Sequence, residues 1–100
     1  MSRMMTRVTW ILVLTGCASA LPPERLVSVD AELSRPDTLE LGESQPGPLR
    51  LAHQHRDDGW AALKDGEPAR AETHAWVAWL QLRVAENLDA VAQDTARKSA

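Results

Sequence analysis

The residues of this chain whose types and spacing could support chemistry lie in one polar run, His53-Gln54-His55-Arg56-Asp57-Asp58. Imidazole nitrogens and carboxylate oxygens are zinc ligands, and a site usually takes four donors, of which one can be water. The run is predicted to be helical, so that His53 and Asp57 share a face while His53 and His55 do not. Two ligands do not complete a site, and His74 adds a third only if a second helix places it nearby. We therefore predict no metal site and no cofactor, and interpret the run as a solvated or partly packed helix face.

The same run resembles the His-x-His-x-Asp-His zinc motif of metallo-β-lactamase-fold hydrolases, with Asp58 at the position of the last histidine. In that family the ligands follow a strand of a much larger α/β domain, which does not agree with the helix expected here. Elsewhere in the sequence, no Ser, Cys or Lys stands in a recognisable nucleophile motif, and no Gly-rich phosphate loop is present. We therefore expect no enzymatic activity.

Aromatic residues are scarce, because the chain contains no Phe and no Tyr. Trp60, Trp76 and Trp79 therefore have two interpretations. They either supply most of the bulk of a small core, or they form a docking face, since exposed aromatic side chains anchor protein interfaces. The sequence leaves both interpretations open.

Three helices must position these residues. Residues 36–47 are predicted to be a loop, because they contain two Pro and two Gly among polar residues, and residues 97–100 are predicted to be a tail. Gly66 suits the left-handed residue that ends a helix, and Pro23 and Pro48 suit first helical turns. The helices are predicted over about residues 23–34, 48–64 and 68–96.

The third predicted helix is the clearest element, because no Gly or Pro interrupts it between Pro68 and Ala96. Because it is longer than the second helix, its far end must cover the first helix, bind a partner or fray. The fold class is predicted to be all-α, with a short amino-terminal helix and an antiparallel hairpin whose second arm is long. Residues 60–71 resemble the turn of a single tetratricopeptide helix pair. The apolar stripe of the third helix comprises Ala71, Ala75, Ala78, Leu82, Ala85, Leu88 and Ala92.

The amino-terminal residues have the composition of a secretory signal. Arg3 and Arg7 precede an apolar run over residues 8–14, and small residues follow it. The run is shorter than the about 20 apolar residues that span a bilayer. Cys17 is the only cysteine, so the chain cannot form an internal disulfide.

The segment Leu14-Thr15-Gly16-Cys17 resembles the lipobox of bacterial lipoproteins. This resemblance implies that residues 1–16 are removed as a signal peptide and that acyl chains such as palmitate are attached at Cys17. Residues 17–22 would then link the anchor to a helical domain over residues 23–96. Ala18 and Ser19 follow the cysteine, and the absence of an aspartate there implies the outer membrane, with the domain facing the periplasm.

The remaining sequence resembles a short Ala-rich helical domain of unknown function found in Gram-negative envelope lipoproteins. The resemblance is carried by Leu49-Arg50-Leu51-Ala52, Ala62-Leu63-Lys64-Asp65-Gly66-Glu67 and the alanines between Ala71 and Ala92. In some relatives this domain precedes an OmpA-like peptidoglycan-binding domain. The family has no defined activity to transfer to this chain.

Charge narrows the range of partners. Without Arg3 and Arg7, nine basic side chains remain against 14 acidic ones, so residues 17–100 carry a net charge of −5. An acidic body does not attract phosphate backbones, and we therefore expect no nucleic-acid partner. We expect a membrane-anchored protein with a structural or adaptor role, which binds an envelope protein or a second copy of itself. The alternative is a periplasmic carrier of lipid or small apolar ligands, or a chaperone accessory.

Overall fold

A computed structural model describes residues 21–99, and this part of the chain is helical without any strand. The all-α class, with a short amino-terminal helix and a hairpin whose second arm is long, is confirmed. We number the helices in chain order. They are α1 (Glu24–Leu33), α2 (Pro36–Ser44), α3 (Pro46–Lys64) and α4 (Pro68–Ser99).

The prediction of a loop over residues 36–47 was wrong, because most of this segment forms α2. Its prolines stand in the first turns of α2 and α3 rather than inside a helix. Proline is tolerated there because the amide hydrogen that it lacks would have no partner within the helix. A single residue between the helices, Gln45, makes the change of direction.

The helix ends also differ from the prediction at the start of α1, at the start of α3, which is Pro46 rather than residue 48, and at the end of α4. Pro23 precedes α1 in an extended conformation, with ψ at 136°, and α1 starts at Glu24. The second arm of the hairpin has no separate tail within the described residues, since α4 continues to Ser99. Its last turns contain a salt bridge from Lys98 to Asp94, with an N–O distance of 3.2 Å.

The turn between α3 and α4 has the hydrogen bonds of a Schellman motif. Gly66 has a φ of 77°, the left-handed conformation predicted for it. Its backbone N–H donates to the carbonyl of Leu63, and the N–H of Glu67 donates to the carbonyl of Ala62. Glycine adopts this conformation without the steric cost of a Cβ atom, so the turn determines how α4 folds back along α3.

The helix directions follow from the residues that face one another. His55 of α3 lies opposite His74 of α4, and Gly59, further along α3, lies against Ala71 earlier in α4, so the two helices are antiparallel. In contrast, α1 runs parallel to α4, because Arg25 contacts Trp76 and Glu32 contacts Arg83.

The core lies where α1, α3 and α4 meet and consists mainly of leucine and alanine. Alanine lets helix backbones approach closely, while the leucines fill the remaining volume. The predicted stripe of α4 is confirmed from Ala71 to Ala85 but is wrong at Leu88, which is 46% exposed, and at Ala92, which is also exposed. The buried apolar residues are Leu26, Val29, Leu33, Leu49, Ala52, Ala62, Ala71, Ala75, Ala78, Leu82 and Ala85.

Candidate functional site

Two histidines from the two arms of the hairpin meet close to its turn. The Nδ1 atoms of His55 and His74 lie 3.0 Å apart, and the ring centroids are separated by 5.3 Å. Asp58 lies one turn after His55 and projects from a neighbouring position on α3. One potential ligand atom from each of the three residues lies within 4.8 Å of the others. We call these three residues the histidine cluster.

Gly59 makes this close approach possible. A Cβ atom at this position would lie 2.9 Å from Cδ1 of Leu26, 3.4 Å from the carbonyl oxygen of Ala71 and 3.5 Å from Cβ of His74. The missing side chain therefore allows α1, α3 and α4 to pack together beside the histidine cluster. The glycine costs helix stability when it is compared with alanine, and the close packing gives a reason for it.

The short distance between the two imidazoles allows two kinds of contact. At 3.0 Å between the Nδ1 atoms, one nitrogen must donate a hydrogen bond and the other accept it, or both must direct lone pairs at a shared cation. Both arrangements bring the two rings together between the arms of the hairpin.

The histidine cluster differs from the grouping considered in the sequence. His53 is half-buried and lies outside the cluster, and Asp57 forms an ion pair with Arg56, with an N–O distance of 2.9 Å. His74 does approach α3, but it meets His55. Two features of the sequence could have identified the cluster. His55 and Asp58 are spaced to share one face of a helix, and His55 and His74 lie at nearly equal distances along the chain from the end of α3.

The predicted tryptophan site divides between core and surface. Trp79 packs against the core, whereas Trp76 is 43% exposed, and the two rings meet edge to face at 5.7 Å. The guanidinium of Arg25 lies 3.8 Å from the centre of the Trp76 ring, where it is attracted to the π face. Trp60 is half-buried on α3 and is not part of this ring pair.

Arg83 connects the tryptophan pair to α1. Its guanidinium lies 5.1 Å from the centre of the Trp79 ring and bonds Glu86 at 2.8 Å and Glu32 of α1 at 3.1 Å. The hydrogen bond that Arg83 donates to Glu86 raises the pKa of Arg83 above its usual value, and the negative charges of Glu32 and Glu86 add to this effect against the opposing effect of burial. The side chain therefore remains charged in this position.

Two open clefts lie on the described surface, and polar side chains dominate both. One of about 540 Å³ lies between α2 and α4 and includes four carboxylates, those of Asp37, Glu40, Glu86 and Asp89. The other, of about 520 Å³, lies at the start of α1 and includes Arg25 and Trp76. Their linings offer mainly charged and hydrogen-bonding groups.

The outer face of α4 carries a row of exposed apolar side chains spaced by four, four and three residues. Their exposed fractions are 51%, 44%, 46% and 63% in chain order. A row with this spacing lies along one side of a helix and extends over about 17 Å. We call this row the α4 surface stripe. It comprises Leu80, Val84, Leu88 and Val91.

The predicted lipid-attachment and cleavage residues lie outside the described part of the chain. These are Cys17 and the preceding Leu14, Thr15 and Gly16. Between residues 21 and 99, none of the helices combines the length and the apolar character that crossing a membrane would need.

Comparisons with known proteins give no relative from which a function could be transferred. No family model, curated protein or solved structure matches the chain.

Proposed function

We propose that this chain is a lipid-anchored protein of the bacterial cell envelope, and that it acts as an adaptor by binding another protein through the α4 surface stripe. The observation that carries the adaptor role is the row of four apolar side chains, each at least 44% exposed, on one face of α4. Large exposed apolar surfaces commonly mark sites of protein association.

The anchoring part of the proposal is supported by the sequence of residues 3–17. Two basic residues, a short apolar run and the lipobox-like Leu14-Thr15-Gly16-Cys17 occur in the order that lipoprotein processing requires. Each buried methylene of an acyl chain contributes about 0.8 kcal/mol, so two chains are sufficient for stable anchoring.

The binding part of the proposal is supported by the chemistry of the stripe. Leucine and valine at helical spacing fit an apolar face of a partner helix, as in helix-in-groove recognition. We propose that the partner is a different protein at the same membrane. The carrier alternative has less support, because both of the clefts described above are lined mainly by polar groups.

The anchor is tested by mass spectrometry of the chain isolated from bacterial cells. The expected product begins at Cys17 and carries acyl chains, and the variant Cys17→Ala carries none. An intact leader or an unmodified thiol at Cys17 would overturn the anchoring part.

The adaptor role is tested by placing a photo-crosslinking amino acid at Val84 in the intact cell envelope. We expect one cross-linked product with a different protein, which disappears in a Leu80→Gln/Val91→Gln background. The matched control is Ala90→Gln/Ala96→Gln, because both alanines are exposed on α4 and lie away from the stripe. A product that forms equally in both backgrounds, or that contains only two copies of this chain, would overturn the adaptor role.

A further inference from the structure

We propose that His55, Asp58 and His74 form a binding site for a divalent transition metal, with Zn²⁺ as the ion to test. Two imidazoles and a carboxylate are a donor set that suits zinc, and water can occupy the fourth position. The inference does not use the lipid anchor or the α4 surface stripe, so it can fail or succeed independently of the proposed function.

The distance between the two imidazoles agrees with shared coordination. Two nitrogens bound to one tetrahedral Zn²⁺ at 2.0–2.1 Å lie about 3.3 Å from each other. The Nδ1 atoms of His55 and His74 are 3.0 Å apart, so an ion between them requires only a small separation of the rings.

Asp58 supplies the third donor. Its carboxylate has an oxygen within 4.8 Å of the imidazole nitrogens, and its side chain is exposed. An exposed aspartate can change rotamer at little cost and close this distance. A carboxylate also adds a negative charge, which favours a divalent cation over a neutral ligand.

The charges around the cluster permit a cation. Arg56 is the nearest cationic neighbour along α3, and it is paired with Asp57 at 2.9 Å and with Asp30 of α1 at 3.4 Å. These two carboxylates neutralise its charge. The carboxylate of Asp58 lies beside the two imidazoles and supplies negative charge for a cation.

The fold positions these donors before any ion binds. His55 and Asp58 are fixed by one helix, while His74 is placed by the Schellman turn and by the close packing at Gly59. A bound ion would join α3 and α4 close to their connection. Because binding to the folded state stabilises it, a free Zn²⁺ concentration of about 100 times the Kd should raise the Tm by roughly 10–20 °C.

The experiment is a calorimetric titration of ZnCl₂ into the full chain after removal of metals with a chelator. We expect one Zn²⁺ per chain, with affinity reduced by at least about 100-fold in His55→Ala or His74→Ala and about tenfold in Asp58→Asn. Two variants serve as matched controls. His53→Ala removes a half-buried histidine of the same helix that lies outside the cluster, and Cys17→Ser removes the one thiol. Both should retain binding.

Circular dichroism shows whether each variant is helical, and Asp58→Asn tests the site even if a histidine variant fails to fold, because this position is exposed. Co²⁺ provides a second readout, since tetrahedral coordination by the cluster gives visible absorption bands that Asp58→Asn should shift. The proposal is overturned if no Zn²⁺ binds, if His53→Ala abolishes binding as His55→Ala does, or if Asp58→Asn changes neither affinity nor the Co²⁺ spectrum. The short contact between the histidines would then be only a hydrogen bond.

Discussion

The two halves of α4 have similar apolar spacing but different surroundings. From Ala71 to Ala85 its apolar stripe is covered by α1 and α3, and Leu82 is 1% exposed. Six residues later, Leu88, which the sequence spacing assigns to the same stripe, is 46% exposed and belongs to the α4 surface stripe. Apolar spacing therefore identifies which face of a helix is suited to burial, but whether that face is buried depends on the length of the helices beside it.

The largest expected difference between the halves is in the free energy of unfolding that is lost when a leucine is replaced by alanine. Leu82→Ala should lower the free energy of unfolding by about 2–5 kcal/mol, because it leaves a cavity in the core. Leu88→Ala should change it by less than about 0.5 kcal/mol, because the side chain is half exposed. Urea unfolding followed by circular dichroism measures both, and equal costs would contradict the difference between the halves.

The next comparison is between Gly59, which lies beside the covered half of α4, and Gly42, which lies in α2 away from the histidine cluster. Gly59→Ala gains about 1 kcal/mol of helix propensity but loses about 1–3 kcal/mol to overpacking against the buried side chain of Leu26. We expect a net loss of stability. Gly42→Ala should be stabilising by up to about 1 kcal/mol, since its Cβ would lie 3.8 Å from Leu49, an ordinary contact. The same unfolding measurement applies, and a stabilising Gly59→Ala would disprove the close packing.

Removing an ion pair from each half should change the free energy of unfolding by smaller amounts. Arg83 joins α4 to Glu32 of α1, and both side chains are partly buried. Arg83→Met should therefore cost up to about 1 kcal/mol at low salt and less at high salt. Lys98→Met removes an exposed pair within α4 and should have almost no effect. Equal, salt-independent effects of the two substitutions would contradict an electrostatic role for Arg83.

The pH dependence of this ion pair follows from the raised pKa of Arg83. Because the pKa is higher in the folded state than in the unfolded state, the stabilisation is fully present below the unfolded-state pKa. It is lost only when the pH rises through the folded-state pKa. We therefore expect Arg83 itself to cause no change in stability between pH 6 and about pH 9.

The two halves of α4 should also differ in the free energy of local helix opening, which is the smallest of the quantities compared. Amide hydrogens between Ala75 and Leu82 should exchange only when the bundle opens, because tertiary packing protects them. Amides beyond Val91 should exchange with free energies of opening near zero, since no other described helix covers that part of α4. Hydrogen exchange measured by mass spectrometry checks this, and uniform protection along α4 would show that the far half is covered in solution.

Much of the fold could be predicted because several local signals agreed. Gly66, the uninterrupted segment after Pro68 and the alanine spacing each indicate a hairpin with a long second arm. The helix α2 was missed because a proline at a helix start and a proline in a loop have the same local signature. Only the packing of Thr38, which is 8% exposed, and of Leu41 against the core distinguishes them.

The histidine cluster could be predicted only in part. The sequence indicated that His74 could approach α3, but it did not specify which histidine would be opposite. That choice depends on the register of the hairpin, which is determined by the Schellman turn and by the contact of Gly59 with α4. A shift of one residue would place a different side chain against His74, so a prediction without the register leaves the site undefined.

The parallel course of α1 and α4 also has a mechanical consequence. In the anchored form proposed above, the start of α1 is the end of the bundle closer to the anchor, and Arg25 and Glu72 lie at this end. From Glu72 to Ser99 the helix rises about 40 Å, directed away from the attachment. The last turns of α4, whose residues are exposed, would then stand farther from the membrane surface than the core of the bundle.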